Sequence, residues 1–296
     1  NATTLITDGL VGYWPLDNDV DDYYGNNSGT NSGATPYISG GKVSGTYLFD
    51  YNEQDYVSVG TGPFYVANGN NFTISTWVKA QAVSTNFLYI FALGGGCNTG
   101  KMQYMLGLNL GTTPYFSAGR HCVATDFTLS SSTNVVDNTW NHIVVVYNGT
   151  GTSELYLNGV GVASGANSVT IPVTTTLTVT IGGDLGGATR RFNGTIDEVM
   201  YFNRSLSSKE ILQLYYGSLN GGHTLNASQN AWNETWKLGV RGADYLGLGD
   251  EVNSSSLSIL DVTRPNATLN SPANNTYSNV TPVNLTVNLT DESSGI

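Results

Sequence analysis

The fold is indicated most clearly by residues 140–159, which read WNHIVVVYNGTGTSELYLNG. An apolar, β-branched run over Ile143–Tyr147 precedes the dipeptide Asn148-Gly149, and a second short run over Glu154–Leu157 precedes Asn158-Gly159. β-Branched and aromatic residues favour strands, and Asn-Gly favours tight turns between strands. The stretch therefore predicts two short strands, each followed by a tight turn.

Similar strands, separated by turns, recur through the first 222 residues. The predicted strands are Leu10–Pro15, Thr46–Asp50, Tyr56–Val59, Phe72–Ala80, Phe87–Leu93, Met102–Leu110, Tyr115–Arg120, Ile143–Tyr147, Glu154–Leu157, Leu177–Ile181 and Thr195–Phe202. One good helix candidate is present, at Ser207–Leu214, where Ser207 can cap the N-terminus. Many strands with regular turns and one short helix predict an all-β sandwich.

Five motifs in chain order resemble the landmarks of laminin-G-like (concanavalin A-like) jelly-roll domains. They are Gly12–Asp17 (GYWPLD), Phe49-Asp50 with Asp55–Val57, Phe72–Val78 (FTISTWV), Trp140–Tyr147 with Leu155–Gly159, and Phe192–Val199 with Asn203–Ser207 and Glu210-Ile211. Their order and spacing match over about residues 8–217. The resemblance implies two sheets packed face to face, often with one structural Ca²⁺, in a family used for sugar binding, adhesion and surface assembly.

The character of the sequence changes at residue 222 and again at Arg264-Pro265. We predict a jelly-roll domain over residues 1–222, a β segment over 223–263 and an incomplete further segment over 264–296. Their predicted strands are His223–Ala227, Thr235–Gly242, Ser255–Leu260 and the alternating run Val283–Thr290. Residues 223–296 resemble immunoglobulin-like segments of microbial surface proteins, archaeal ones included.

The charge balance excludes several partners. The chain carries 22 acidic and 11 basic side chains, for a net charge of −11. Nucleic acids and anionic membranes are therefore not expected partners, because both are bound through Lys and Arg. No apolar run approaches the roughly 18 residues of a membrane span. The chain begins at Asn1 rather than Met, so we expect a removed leader or a fragment, with any membrane anchor outside this stretch.

Asn-x-Ser/Thr sequons suggest the compartment. They begin at Asn1, Asn26, Asn71, Asn148, Asn193, Asn203, Asn226, Asn233, Asn253, Asn266, Asn274, Asn279, Asn284 and Asn288. N-glycans are added in the secretory pathway and need solvent-exposed attachment points. We therefore expect a secreted or cell-surface glycoprotein; the alternative is an Asn/Thr-rich strand composition that carries no sugar.

Two cysteines, Cys97 and Cys122, flank a predicted hairpin. Its strands, Met102–Leu110 and Tyr115–Arg120, are joined by a turn at residues 111–114. Such a hairpin brings positions 97 and 122 near each other, which predicts a disulfide. The alternative is a pair of buried free thiols.

A Ca²⁺ site is predicted where the opening and closing strands of the resembled fold meet. Ile196 and Val199 cannot both face one side of a regular strand, so we predict a bulge around Asp197. A carboxylate beside a bulge can point an oxygen at a cation, and Ca²⁺ takes six to eight oxygens. The expected ligands are Asp17, Asn18 and Asp197; otherwise Asp197 binds backbone groups and no metal.

Catalysis is not expected. The glucanases that share the resembled fold need closely spaced carboxylates on one strand face, whereas Glu53-Gln54-Asp55 lacks a third acid. Asp197 and Glu198 are adjacent and would point to opposite faces of a regular strand. The three histidines, at positions 121, 142 and 223, share no metal-ligand spacing, and we interpret His142 as structural.

Two functions remain open. The first is a structural glycoprotein subunit of an extracellular surface assembly or filament. Unpaired C-terminal strands would be exchanged between copies, giving a homo-oligomer. The alternative is a carbohydrate-binding adhesin or lectin, because aromatic residues flank predicted loops at Tyr23, Tyr24, Tyr115 and Phe116.

Overall fold

The computed structural model describes residues 6–37, 39–64, 70–83, 87–94, 103–119, 127–167, 171, 177–185 and 190–219, together with short strands in the last quarter of the chain. The chain divides into two compact units, Asn1–Gly222 and His223–Ile296. The immunoglobulin-like character of residues 223–296 and the further boundary at residue 264 remain predictions.

The described part of the first unit contains strands and one helix. In chain order they are β1 (Leu10–Trp14), β2 (Thr30–Ser32), β3 (Thr35–Tyr37), β4 (Thr46–Phe49), β5 (Tyr56–Gly60), β6 (Phe72–Ala80), β7 (Phe87–Leu93), β8 (Tyr104–Asn109), β9 (Thr113–Ala118), β10 (Phe127–Ser130), β11 (Asn141–Tyr147), β12 (Thr152–Leu157), β13 (Val160–Ala166), β14 (Val179–Ile181), β15 (Gly194–Phe202) and α1 (Ser208–Leu219).

These strands form two antiparallel sheets. The front sheet has eight strands in the order β13-β12-β11-β6-β15-β4-β3, and β1 also pairs with β15. The back sheet has seven strands in the order β10-β9-β8-β7-β14-β5-β2. The predicted all-β jelly-roll sandwich is confirmed.

The core lies between the sheets because alternate strand residues point inward. In β6, Phe72, Ile74 and Val78 are buried in this layer, and the Phe72 ring stacks on those of Tyr147 and Tyr201 at 4.9 and 5.7 Å between centroids. Burying one such large apolar side chain contributes about 1.5–3 kcal/mol to the free energy of folding.

A second apolar layer lies on the outer face of the front sheet. Helix α1 packs Ile211 and Leu214 into a cluster with residues of β1, β11, β12 and β15, among them Val144 and Met200. Ser207 and Glu210 form a capping box, since Ser207 Oγ accepts from Glu210 N–H and Glu210 Oε2 accepts from Ser207 N–H. This cluster contains no residue of β3 or β4, so it does not extend over that end of the outer face.

Asp22 organises the loop after β1, a role that the sequence did not predict. Its carboxylate is 8 % exposed and accepts five hydrogen bonds of 2.9–3.1 Å. The donors are the backbone N–H groups of Tyr13, Tyr24, Gly25 and Asn27 and the side-chain amide of Asn27. Asp22 therefore ties residues 23–27 to the first strand of the front sheet.

The sequence predicted the inner strands well and overlooked four strands at the sheet ends. The predicted hairpin of β8 and β9 is confirmed, and so is the helix, which begins at Ser208 and extends to Leu219. The overlooked strands β2, β3, β10 and β13 are the terminal strands of the two sheets as described. A terminal strand has a neighbour on one side only, and β2, β3 and β13 lack buried residues that would impose alternation.

The second unit contains three two-stranded sheets among its described strands. They pair β16 (Thr235–Trp236) with β19 (Leu257–Ser258), β17 (Gly239–Asp244) with β18 (Gly247–Asn253), and β20 (Asn266–Ser271) with β21 (Thr286–Thr290). The predicted strand at residues 235–242 is divided between β16 and β17, and β18 was not predicted. The predicted strand at residues 223–227 lies outside the described residues.

Candidate functional site

Strand β15 contains the predicted bulge. Its pairing with β6 shifts register between Asp197 and Met200, and Glu198 has a φ of 53° in the left-handed region. The bulge lets both Ile196 and Val199 enter the core. It also leaves Asp197 and Glu198 on the same, outer side of the front sheet, whereas a regular strand would have pointed them to opposite faces.

Asp197 holds the loop that joins β3 to β4. Its Oδ2 accepts from the backbone N–H groups of Lys42 and Val43 at 2.6 and 3.1 Å. Asp17 holds the same loop from a second point, because its Oδ1 accepts from Gly45 N–H at 2.8 Å. We call residues 39–45 the wall loop. Because Asp17 and Asp197 both bind this loop, the two carboxylates come together in one place, as a shared site requires.

Glycine is required at Gly45, where the wall loop passes the carboxylates. A Cβ on Gly45 would overlap the backbone carbonyl of Asp17. The loop backbone can therefore lie directly against the acidic pair, which places its N–H groups within hydrogen-bond distance of the two carboxylates.

Burial dominates the electrostatics of this acidic cluster. It raises the pKa of Asp197 well above its usual value, and the neighbouring charges of Glu198 and Asp17 add to the effect. Burial likewise raises the pKa of Asp17, and it raises that of Glu198 to about 8 although Tyr13 O–H donates to both Glu198 oxygens at 2.9 and 3.0 Å. When no cation is bound, these three carboxyl groups therefore favour their protonated, neutral form.

The donor set partly fits a cation. Asp197 Oδ1 is buried and has no hydrogen-bond partner, which leaves one hard oxygen available beside Asp17. Asn18 is exposed. Its backbone carbonyl accepts a hydrogen bond from Tyr47 O–H at 3.3 Å. Within the described ranges, no group of three His, Cys, Asp or Glu side chains has metal-binding geometry. Any Ca²⁺ here would depend on backbone carbonyls as well as on the two aspartates.

A groove opens on the outer face of the front sheet, at the end that the α1 cluster does not reach. It encloses about 220 Å³. Its lining residues come from four adjacent strands, the wall loop and the segments that follow β6 and precede β11, and they are Tyr37, Gly40, Thr46, Leu48, Lys79, Gln81, Asn138 and Thr195. The sequence did not predict this groove.

The sheet register explains how these residues meet. Thr195 of β15 pairs with Leu48 of β4 on one side and with Lys79 of β6 on the other. Tyr37 of the end strand β3 pairs with Thr46, and this residue is 44 % exposed. Thr195 Oγ1 is buried without a hydrogen-bond partner. The groove thus combines an exposed aromatic ring, hydroxyls, amides and one ammonium group.

The wall loop connects the groove to the acidic cluster. Gly40 lines the groove, whereas the N–H groups of Lys42 and Val43 bind Asp197. Any change that moves the loop off Asp17 and Asp197 will therefore alter one wall of the groove.

An aromatic stack surrounds Trp77 of β6. Trp77 packs against His142 and Tyr215 at 5.0 and 5.6 Å between ring centroids, and the Lys42 ammonium lies 4.5 Å from the Trp77 ring centroid. His142 Nε2 is 2.8 Å from Ser75 Oγ, and burial lowers the pKa of His142 to about 3. His142 is therefore a neutral packing residue, as predicted.

The aromatic residues that suggested a lectin site divide into three environments. Tyr23 and Tyr24 are exposed on the loop after β1. Tyr115 is half-buried on the back sheet, with its ring 5.3 Å from that of Phe87. Phe116 is fully buried in the core, so its assignment to a surface site was wrong; consecutive strand residues point to opposite faces.

The family is decided by a match of sequence. A family model for the concanavalin A-like lectin/glucanases superfamily matches residues 51–212, more than half of the chain. The chain belongs to this superfamily. The matched region lies within the residues whose motifs resemble laminin-G-like domains. No curated protein sequence matches this concanavalin A-like chain.

Solved structures share the concanavalin A-like architecture at low identity. Domain 4 of AbnA, a GH43 extracellular arabinanase from Geobacillus stearothermophilus in complex with arabinotriose, has a TM-score of 0.55 at 19 % identity, covering 70 % of this chain and 98 % of that one. The binding domain of Paraclostridial Mosquitocidal Protein 1 has a TM-score of 0.57 at 14 % identity, covering 95 % and 75 %. A Trypanosoma rangeli sialidase complex has a TM-score of 0.54 at 16 % identity, covering 74 % and 34 %.

Five of the predicted glycosylation positions in the concanavalin A-like unit lie on described residues. Asn26 and Asn203 are exposed, and Asn71, Asn148 and Asn193 are half-buried. The described strands include three more, Asn253, Asn266 and Asn288. The remaining positions, Asn1, Asn226, Asn233, Asn274, Asn279 and Asn284, lie outside the described residues, as do Cys97 and Cys122. No helix among the described residues is long and apolar enough to cross a membrane.

Proposed function

We propose that this chain is an extracellular carbohydrate-binding module, and that the groove beside the wall loop holds the sugar. The observation that carries the proposal is the composition of the groove, in which the exposed Tyr37 ring lies among hydroxyl and amide side chains. A sugar ring presents apolar C–H faces and a rim of hydroxyls. A Tyr ring can stack on the former, and Gln81, Asn138 and Thr195 can bond to the latter.

The size of the groove favours a small part of a glycan. Its volume of about 220 Å³ is below the roughly 300–1,000 Å³ of sites for drug-sized ligands. One or two sugar residues would fill it, with the rest of the glycan in solvent. The unpartnered Thr195 hydroxyl supports this reading, because a buried polar group gains free energy when a ligand completes its hydrogen bonds.

The comparisons support a sugar ligand by analogy. The arabinanase domain was crystallised with arabinotriose, and the sialidase is bound to a sialic-acid-like sugar. The superfamily contains both lectins and glucanases, and the burial of the acidic pair favours binding over hydrolysis. Asp197 and Glu198 are 0 % and 2 % exposed, so neither carboxylate can reach a glycosidic bond from this position.

The test is a glycan array followed by calorimetry on protein from a host that adds no N-glycans, so that its own sugars cannot compete. Tyr37→Ala should weaken binding at least tenfold, which corresponds to about 1.4 kcal/mol. Tyr24→Ala is the matched control, because it removes an equally exposed tyrosine from the loop after β1. If Tyr24→Ala abolished binding and Tyr37→Ala did not, the groove would not be the sugar site. An array without hits would refute carbohydrate binding itself.

We further propose that Asp17 and Asp197 hold a structural Ca²⁺, with wall-loop carbonyls completing its ligands. The unpartnered Asp197 Oδ1 is the observation behind it. The ion would neutralise the cluster and stabilise the wall loop. For Asn18 to become a ligand of this ion, its side chain would have to change position.

A surface assembly is the second candidate function, favoured by the second unit. Each of its described strands has one hydrogen-bonded neighbour. Two-stranded sheets alone are marginally stable in water, and open edges accept strands from other chains. We propose that copies of this secreted glycoprotein join through these strands. Light scattering and negative-stain imaging of the full chain over a range of concentrations test the idea, and a monomer at every concentration would refute it.

A further inference from the structure

The groove is rich in hydrogen-bond donors and has no carboxylate in its lining. Its charged member is Lys79, and Gln81, Asn138, Tyr37 and Thr195 can all donate as well. Acidic side chains outnumber basic ones by 22 to 11 in the chain, so the positive charge of the groove is opposite in sign to the net charge of the chain. The amides and hydroxyls of the groove both donate and accept, as neutral sugar hydroxyls do, whereas the Lys79 ammonium only donates and carries a full charge. An acceptor-only group, such as a carboxylate or a sulfate, matches it better.

Lys79 differs from its neighbour Lys42 in its charge environment. The Lys42 ammonium lies over Trp77, and its charge is offset by Asp197. Lys79 forms no ion pair with any described carboxylate. Asp137, next to the groove residue Asn138, is exposed and accepts from the Thr139 hydroxyl. The Lys79 charge is therefore available to a ligand.

We propose that the groove selects sugars that carry an anionic group, and that Lys79 is the residue that selects them. The carboxylate of a uronic or sialic acid and a sulfate ester share the required chemistry. This inference rests on the proposed carbohydrate-binding function and adds its ligand class. Lys79 lies beside Thr195 in the sheet register, so the anion and the neighbouring ring hydroxyls would be bound side by side.

The test uses pairs of glycans that differ only in charge. One arm compares oligogalacturonates with their methyl esters, a second compares sialylated with desialylated glycans, and a third compares sulfated with desulfated galactans. The expected result is that the charged member of at least one pair binds about tenfold more tightly. The preference should shrink as salt is raised, because a partly exposed ion pair is screened.

The variant Lys79→Gln keeps a hydrogen-bond donor, on a slightly shorter side chain, but removes the charge. It should abolish the preference for the charged member, so that the affinities for the two members of a pair become about equal. Lys209→Gln is the matched control, because it lowers the net charge equally at an exposed position on α1. A variant that fails to fold would lose binding to both the charged and the neutral glycan, and thermal unfolding of each variant identifies that case.

The outcomes separate this inference from the function on which it depends. Binding of neutral and charged members with equal affinity, or a preference that survives Lys79→Gln, overturns the ligand class and leaves carbohydrate binding in place. Equal losses with Lys79→Gln and Lys209→Gln overturn it too, because the effect would then come from net charge. An array on which no glycan binds overturns both.

Discussion

Replacing Asp22 with alanine should destabilise the first unit more than any other single change in the loop after β1. The carboxylate is 8 % exposed and accepts five hydrogen bonds, four from backbone N–H groups and one from an amide. Alanine removes the acceptor and leaves the donors in place. A buried donor that loses its partner costs about 1–3 kcal/mol.

The magnitude follows from how many donors water can reach. Tyr24 is exposed and Gly25 and Asn27 are half-buried, so their groups can partly rehydrate; Tyr13 is buried and its N–H cannot. One full loss and four partial ones, from the five hydrogen bonds, together give about 3–5 kcal/mol. For a unit of this size, 1 kcal/mol shifts Tm by about 2–4 °C, so the expected decrease is about 6–20 °C.

Differential scanning calorimetry of the full chain measures this shift. Asp21→Ala is the control, since Asp21 is exposed on the same loop, and it should change stability by no more than about 0.5 kcal/mol. Asp22→Asn should fall between the two, because its amide keeps one of the two acceptor oxygens. If Asp22→Ala unfolds within 2 °C or so of the wild type, the hydrogen-bonded loop does not contribute as the structure implies.

Three further predictions concern the acidic cluster and the sugars. In EDTA, the free energy of unfolding should fall by up to about 4 kcal/mol as pH rises from about 4.5 to 8. The reason is that folded Glu198 keeps its proton to about pH 8, whereas unfolded Glu198 ionises near 4.5. Urea titrations at several pH values measure this fall, and an equal dependence of stability on pH in Glu198→Gln would contradict it. Ca²⁺ at 100 times its Kd should add about 2.7 kcal/mol to the free energy of unfolding. The site would be excluded if Ca²⁺ caused no shift of Tm, or if the shift persisted in both Asp17→Asn and Asp197→Asn. In protein from a secreting eukaryotic host, Asn26 and Asn203 should carry glycans; peptide mass spectrometry that finds both bare would disprove it.

The inner strands were predictable because burial imposes a pattern on them. β6 is the clearest case, with Phe72, Ile74 and Val78 facing the core and both of its ends predicted correctly. β3 was overlooked because none of its three residues is buried. A strand with no buried face has no reason to alternate, and Pro36 at its centre argues against a strand.

The candidate site was predictable only where neighbours in sequence decide it. The bulge followed from Ile196 and Val199, which are three residues apart and both apolar. The consequence that Asp197 and Glu198 share one side did not follow, because it depends on the positive φ of Glu198. Asp22 left a weak signal, since Asp before a Tyr-Tyr-Gly-Asn turn can bond to nearby backbone.

The groove could not be predicted, because its residues are distant in the chain. Tyr37 and Asn138 are about a hundred positions apart, and they meet only once the register of the front sheet is known. No local motif joins them. The charge of Lys79 likewise acquires meaning only from the acids that are missing around it in space.

The wall loop has a consequence for how such modules can diversify. It is held at Lys42 and Val43 by Asp197 and at Gly45 by Asp17, carboxylates that belong to other parts of the fold, whereas Ser39 and Gly40, which precede these contacts, are exposed. The residues at this exposed start of the loop can be exchanged or lengthened without disturbing the sandwich. Libraries built at this one loop would therefore reshape ligand preference on an unchanged scaffold.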